Sequence, residues 1–159
     1  NLEKEDETGE GAALARAITF GPHRLELVRF LLKSGARVDA VSKRRGMTLL
    51  MFASANEDAD ARLLSVLLQN MDSKRIEKYV NMHSRSRSFT HFLFDLIHRR
   101  SGRTAIHYAV SRGDIEIVET LLASGADPTR RDWNGQSSVS VDTTSHGGGQ
   151  KGRRRIRFV

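Results

Sequence analysis

The chain has 159 residues, enough for one domain with a sizeable core. It contains no cysteine, which excludes a disulfide framework and thiolate zinc sites and favours a reducing compartment. The net charge of +7 favours acidic partners, whether protein, nucleic acid or anionic lipid. No apolar run approaches the ~20 residues that a membrane-spanning helix needs.

Residues 1–10 form an acidic N-terminal segment without an apolar signal region. They also lack an initiating Met, as an excised piece of a longer protein would. The first periodic stretch, Arg24–Ser34, is helical by spacing, and Gly35 supplies a left-handed residue to end it. Pro22, in the turn ahead of it, is tolerated because a first helical residue needs no N–H partner. Residues 46–53 and 63–68 carry a second, more degenerate pair of apolar segments. Lys74–Val80 then prolongs or follows that pair. Polar residues 81–88 include alternating Ser and Arg, with Ser86 and Ser88 in a context basic-directed kinases prefer. Phe89, Phe92, Leu93, Leu96 and Ile97 recur at helical spacing and predict an amphipathic helix. That helix either packs on the neighbouring unit or offers its apolar face to a partner. Thr104 is placed to cap a helix over Ala105–Arg112, and Asp114 a second over Ile115–Ser124, with Gly125 after it. In that second helix Ile117, Val118, Leu121 and Leu122 form one stripe. A further unit opens at Trp133–Ser137 without a second helix, and Gly147–Gly149 leads into an Arg-rich terminus.

These segments repeat one another. Leu-Leu, Ser and Gly-Ala recur at identical spacing in Leu31–Ala36 and Leu121–Ala126. Gly102-Arg103-Thr104-Ala105-Ile106-His107-Tyr108-Ala109, followed by paired apolar residues and Gly125-Ala126-Asp127, resembles the ankyrin-repeat signature, with Ala105 in place of its Pro. Residues 11–45 match more loosely, with Ala12 and Ala15 in place of Thr and His. Residues 46–81 keep Thr48 and Ala53 but have Met51 where His stands in the family. The resemblance implies an all-α solenoid of stacked helix-turn-helix units with β-turn fingers. Each helix pair has an apolar face it cannot bury alone, so neighbours must stack. The expected organisation is an ankyrin-repeat domain over 11–141, with repeats at 11–45, 46–101, 102–134 and a partial one at 135–141. A helical insertion occupies 72–101, and 142–159 forms a flexible basic tail.

No catalytic constellation emerges. A phosphate-binding Gly loop with Lys-Ser/Thr and a Gly-x-Ser-x-Gly elbow are both absent from the sequence. His107 reads as the turn histidine of the repeat. His91, Asp95 and His98 share a predicted helix face, and a metal there is weighed against an ordinary polar face, which the spacing favours. The expectation is therefore a non-enzyme without cofactor, metal or small-molecule substrate, set in the cytoplasm or nucleus.

In ankyrin proteins the fingers and inner helix ends form the binding surface. The matching positions here are Arg44, Arg45 and Met47 in the first finger, and Arg100 and Arg103 in the second. Arg130, Arg131, Trp133 and Gln136 belong to the third. The inner helix ends contribute Thr19 and Phe20, Ala55 and Asn56, and Ser111 and Arg112. Successive Arg-rich tips predict a protein-binding scaffold or adaptor for an acidic partner, since Arg suits bidentate carboxylate recognition. Trp133 is either an exposed anchor or packing over the last repeat. Two alternatives stand beside this reading. One is nucleic-acid binding through the tail and fingers, which predicts steep salt dependence. The other is a regulatory or targeting segment of a larger enzyme.

Overall fold

The computed structural model describes residues 12–20, 23–42, 45–85, 102–141 and 156–158. Among them, seven helices run in chain order: α1 (Ala12–Thr19), α2 (Arg24–Lys33), α3 (Leu49–Ala55), α4 (Ala61–Gln69), α5 (Ser73–Val80), α6 (Ala105–Arg112) and α7 (Ile115–Ala123). The all-α solenoid expected from the repeat is the fold observed. α1 packs on α2, α3 on α4 and α6 on α7 as hairpins. The first helices stack in the order α1, α3, α6, and the second helices in the order α2, α4, α7.

Local chemistry accounts for where the helices begin and end. Thr48 accepts the Met51 amide at 3.2 Å, Asp60 that of Leu63 at 2.9 Å, Asp72 that of Arg75 at 2.8 Å, and Asp114 that of Ile117 at 3.0 Å. Each satisfies an amide that the first helical turn leaves without a backbone partner. At α2, by contrast, His23 at the N-cap makes no side-chain cap bond. Arg24 instead reaches Asp58 of the next unit at 2.8 Å. Gly35 and Gly125 adopt left-handed φ of 90° and 88° just beyond α2 and α7, as their positions after the apolar runs require.

The core lies between the two rows of helices. Leu14, Ile18, Val28, Leu50, Leu64, Leu67, Ile106, Ile117 and Leu121 are buried along its length. Each large aliphatic side chain there is worth about 1.5–3 kcal/mol of burial. Ala53 and Ala109 are fully buried, and their small side chains let α3 and α6 approach closely.

α5 is a separate helix with its own cap, not an extension of α4. Residues 81–84 then run beside residues 125–131. Asn81 Nδ2 donates to the Gly125 carbonyl at 2.9 Å, its Oδ1 accepts the Asp127 amide at 2.8 Å, and the His83 ring meets the Arg131 carbonyl at 3.1 Å. At the C-terminal end, β1 (Val139–Val141) pairs antiparallel with β2 (Ile156–Phe158), with Ser140 opposite Arg157. β2 falls within the segment read from sequence as a flexible tail. Val139–Val141 occupies the stretch where a fourth first helix would run. Its alternating β-branched sequence, Val-Ser-Val, suits a strand instead.

Candidate functional site

Three fingers project along one edge, and each is closed at its base by the same device. In the first finger the Ser42 amide donates to the Met47 carbonyl at 2.9 Å, and Val41 bridges Thr48. In the third, the Asp132 amide donates to Gln136 at 2.8 Å, and Arg131 bridges Ser137. In the second, the Ser84 amide donates to the Arg103 carbonyl at 2.8 Å. Ser42, Ser84 and Asp132 are thus equivalent, and all three are buried. Their side-chain oxygens accept finger amides. Ser42 takes Arg45 at 3.3 Å and Ser84 takes Arg103 at 3.1 Å; Asp132 Oδ1 takes Asn134 at 2.8 Å and Gln136 at 2.9 Å. Such local side-chain bonds shape turns because they replace backbone partners.

This equivalence locates the extra sequence. Ser84 and Arg103 already close the second finger, so the extra sequence falls between those two residues, while α5 enlarges the connection before the finger's base. The predicted amphipathic helix over Phe89–Ile97, the His91/Asp95/His98 face, Ser86 and Ser88, Arg44 and Arg100 lie outside the described residues.

The fingers touch side by side. Gly46, at φ 58°, has the Arg85 backbone where a β-carbon would stand. Gly102, at φ 70°, has the Trp133 indole there. Only glycine permits both the left-handed turn and the close approach at these two positions. Trp133 is 50% exposed, so one side of the ring covers Gly102 while the other faces solvent. Trp133 is thus both packed on its neighbour and partly exposed. Arg45, Arg85, Arg130 and Arg131 are exposed around these contacts, as is Gln136. Arg131 also donates to the Gly135 carbonyl at 2.7 Å, which steadies the third finger.

Four of the expected surface residues take part in contacts within the stack. Met47 is buried in the core, because its position at the finger base turns it under the stack. Arg103 is largely covered. Its Nη1 donates to Ser111 Oγ at 3.1 Å and its Nε lies 4.0 Å from the buried Asp132 carboxylate. Ser111 is exposed, but its hydroxyl serves that arginine. Arg112 is 15% exposed at its side chain. It donates to the carbonyls of Asn56 and of Ala59 (2.6 Å), in the preceding unit, and pairs with Asp114. Asn56, at the matching position one unit earlier, does the same. Its Nδ2 donates to the Ile18 and Thr19 carbonyls at 2.7 and 3.1 Å. The inner helix ends thus carry a row of polar clamps that bind each unit to the one before.

His107 is built into this frame. The Thr104 amide donates to its Nδ1 at 3.2 Å, so Nδ1 is the acceptor and Nε2–H donates to the Gln136 carbonyl at 3.1 Å. The Thr104 hydroxyl lies 2.9 Å from the same Nδ1. Burial holds its pKa below the usual 6.5, with Arg103 and His83 adding to this and the Gln136 carbonyl and Asp132 opposing it. At Met51 the thioether receives the Thr48 amide at 3.5 Å in the same manner but has no proton to give a finger. Hydrogen bonds from Thr129 lower the pKa of Asp127.

Away from the fingers, a depression of about 370 Å3 lies between the ends of α2 and α4 and the start of α5. Its charges are matched. Arg37 binds Asp39 at 3.1 Å and lowers its pKa, and Arg75 lies 3.8 Å from Asp39 and 3.4 Å from Asp72. Among the described residues no group of His, Asp or Glu is arranged to hold a metal, and no helix is long and apolar enough to cross a membrane.

A family model for ankyrin repeats, in three copies, matches residues 12–132. The rice potassium channel AKT1, from both Oryza sativa subsp. indica and subsp. japonica, is 43% identical over 56 residues. That stretch covers 30% of this chain and 6% of the channel's own length, so the chain spans a small part of these relatives.

Proposed function

The chain belongs to the ankyrin-repeat family, a non-catalytic interaction fold, and on that premise we propose that it is a scaffold or adaptor that binds an acidic segment of another protein along its finger edge. The observation that carries this reading is the contact between successive fingers. Gly46 against Arg85 and Gly102 beneath Trp133 join separate tips into one surface, on which Arg45, Arg85, Arg130 and Arg131 are exposed. A surface of one sign attracts and orients an oppositely charged partner. Trp133 supplies a half-exposed aromatic anchor of the kind that dominates binding energy at interfaces. Gln136 adds a neutral hydrogen-bonding group beside it.

Arg103 and Arg112 support this edge from below and hold the repeats together. The experiment is a nuclease-treated pull-down from cell lysate, read by mass spectrometry. Wild type is compared with an Arg45→Glu, Arg85→Glu, Arg130→Glu variant whose helical content is verified by circular dichroism. The proposal expects a protein retained by wild type and lost by the variant. Equal retention by both baits would remove the fingers from the binding surface. Loss of all retained material on nuclease treatment would favour nucleic acid as the ligand.

A further inference from the structure

Hydroxyl groups along the helices mostly return their proton to the backbone. Thr19 donates to the Ala15 carbonyl at 2.7 Å, Ser54 to Leu50, Ser65 to Ala61 and Thr120 to Glu116, each at 2.8 Å. In every case the acceptor lies four residues earlier, the bond a helical serine or threonine makes when nothing else claims its proton. Ser111, in the last turn of α6, does not follow this pattern. Its Oγ accepts from Arg103 Nη1 at 3.1 Å, and among the described residues its own proton has no acceptor. The hydroxyl is exposed on the inner helix end. Arg103 is equally under-used. Its Nε is buried without a partner and lies 4.0 Å from Asp132 Oδ2, which also lacks one, and among the described residues only Nη1 makes a hydrogen bond. Its side chain is 18% exposed. A free hydroxyl donor thus stands beside a cation with N–H groups to spare. At the matching positions of the other units, Thr19 has its proton engaged and Ala55 has no hydroxyl, so the pair is peculiar to the third unit.

We infer that Ser111 and Arg103 form a subsite for one carboxylate of the acidic partner, with the Ser111 hydroxyl donating to one oxygen and the Arg103 guanidinium to the other. This rests on the finger-edge reading and extends it, because it carries the partner's segment from the fingers onto the inner end of α6. The hydroxyl fills both of its roles at once, accepting from Arg103 and donating to the carboxylate. Asp132 approaches Arg103 at Nε whereas Ser111 sits at Nη1, so the two carboxylates stand on different sides of the guanidinium. The exposed finger arginines attract any anion at range. Ser111 and Arg103 instead act by contact and fix where one acidic side chain of the partner stands.

Fluorescence anisotropy of a fluorescein-labelled peptide of alternating glutamate and glycine tests this with the full chain, at low and at high salt. Ser111→Ala removes the donor and Ser111→Thr keeps it, and circular dichroism verifies the fold of each. Ser111→Ala is expected to weaken binding about tenfold, and Ser111→Thr by no more than about twofold. The tenfold factor should be the same at both salt concentrations, because the group removed is uncharged, whereas the loss in the Arg45→Glu, Arg85→Glu, Arg130→Glu variant should be largest at low salt. Wild-type affinity in Ser111→Ala, beside loss of binding in the arginine variant, would overturn the subsite and leave the finger-edge reading standing. Equal weakening by Ser111→Ala and Ser111→Thr would also overturn it, since the hydroxyl would then not be the cause. A wild type that does not bind the peptide at either salt concentration would defeat the finger-edge reading and the subsite together.

Discussion

Replacing Arg112 with Met keeps the aliphatic stem and removes the guanidinium. The structure assigns that group three acceptors: the Asn56 and Ala59 carbonyls and the Asp114 carboxylate. A hydrogen bond from a charged donor contributes about 1.5–3 kcal/mol, but three on one group are not additive and water reaches part of the vacated site. Asn56 O also keeps its bond from the Ala59 amide at 3.1 Å, which lessens the loss. The expected destabilisation is therefore about 2–4 kcal/mol. In a chain of this size that lowers the thermal midpoint by roughly 5–15 °C. Arg112→Lys is expected to recover little, because one ammonium on a flexible stem cannot span acceptors placed for a planar fork. Urea unfolding followed by far-UV circular dichroism measures the effect, with Arg130→Met as the exposed control, expected within about 0.5 kcal/mol of wild type. If Arg112→Met matched that control, the row of clamps would not be what couples the repeats.

Two further perturbations read the finger edge. The folded-state pKa of His107 is depressed below 6.5, so the unfolded chain binds the proton more readily. Its contribution to stability is complete above pH 6.5 and is lost as pH falls through and below that value. The urea midpoint between pH 8 and about pH 5 should show this decline, and His107→Gln should flatten it. Gly102→Ala should destabilise by about 1 kcal/mol for its left-handed φ and further for the displaced indole, whereas Gly125→Ala, with open space around it, should show the backbone cost alone. Trp133 is the only tryptophan, so its emission should shift to the red in Gly102→Ala and stay unchanged in Gly125→Ala.

The legible parts of this fold were those that depend on neighbours in sequence. Asp114 ahead of an apolar run, Gly125 after it and the Leu-Leu stripe between them act within one or two turns of helix, so α7 could be bounded from residues 114–125 alone. The repeat spacing similarly revealed which side chains would be equivalent from unit to unit. Positions in the fingers were legible as basic tips, but the part each side chain plays there was not. Arg45 and Arg112 look alike in sequence. One is exposed, while the other is enclosed by carbonyls 53 and 56 residues away. Met47 occupies a tip position by spacing yet belongs to the core.

By itself, then, the sequence determined an ankyrin-type stack of helix pairs, its caps and left-handed turns, its stripe of core residues and the basic character of one edge. These follow from local backbone chemistry and from periodicity, which any short window displays. Tertiary structure decided which arginines face solvent and which bind the preceding repeat. It seated Trp133 over Gly102 and aligned Ser84 with Ser42 and Asp132 at the bases of the fingers. Each of these rests on a contact between residues that only stacking brings together.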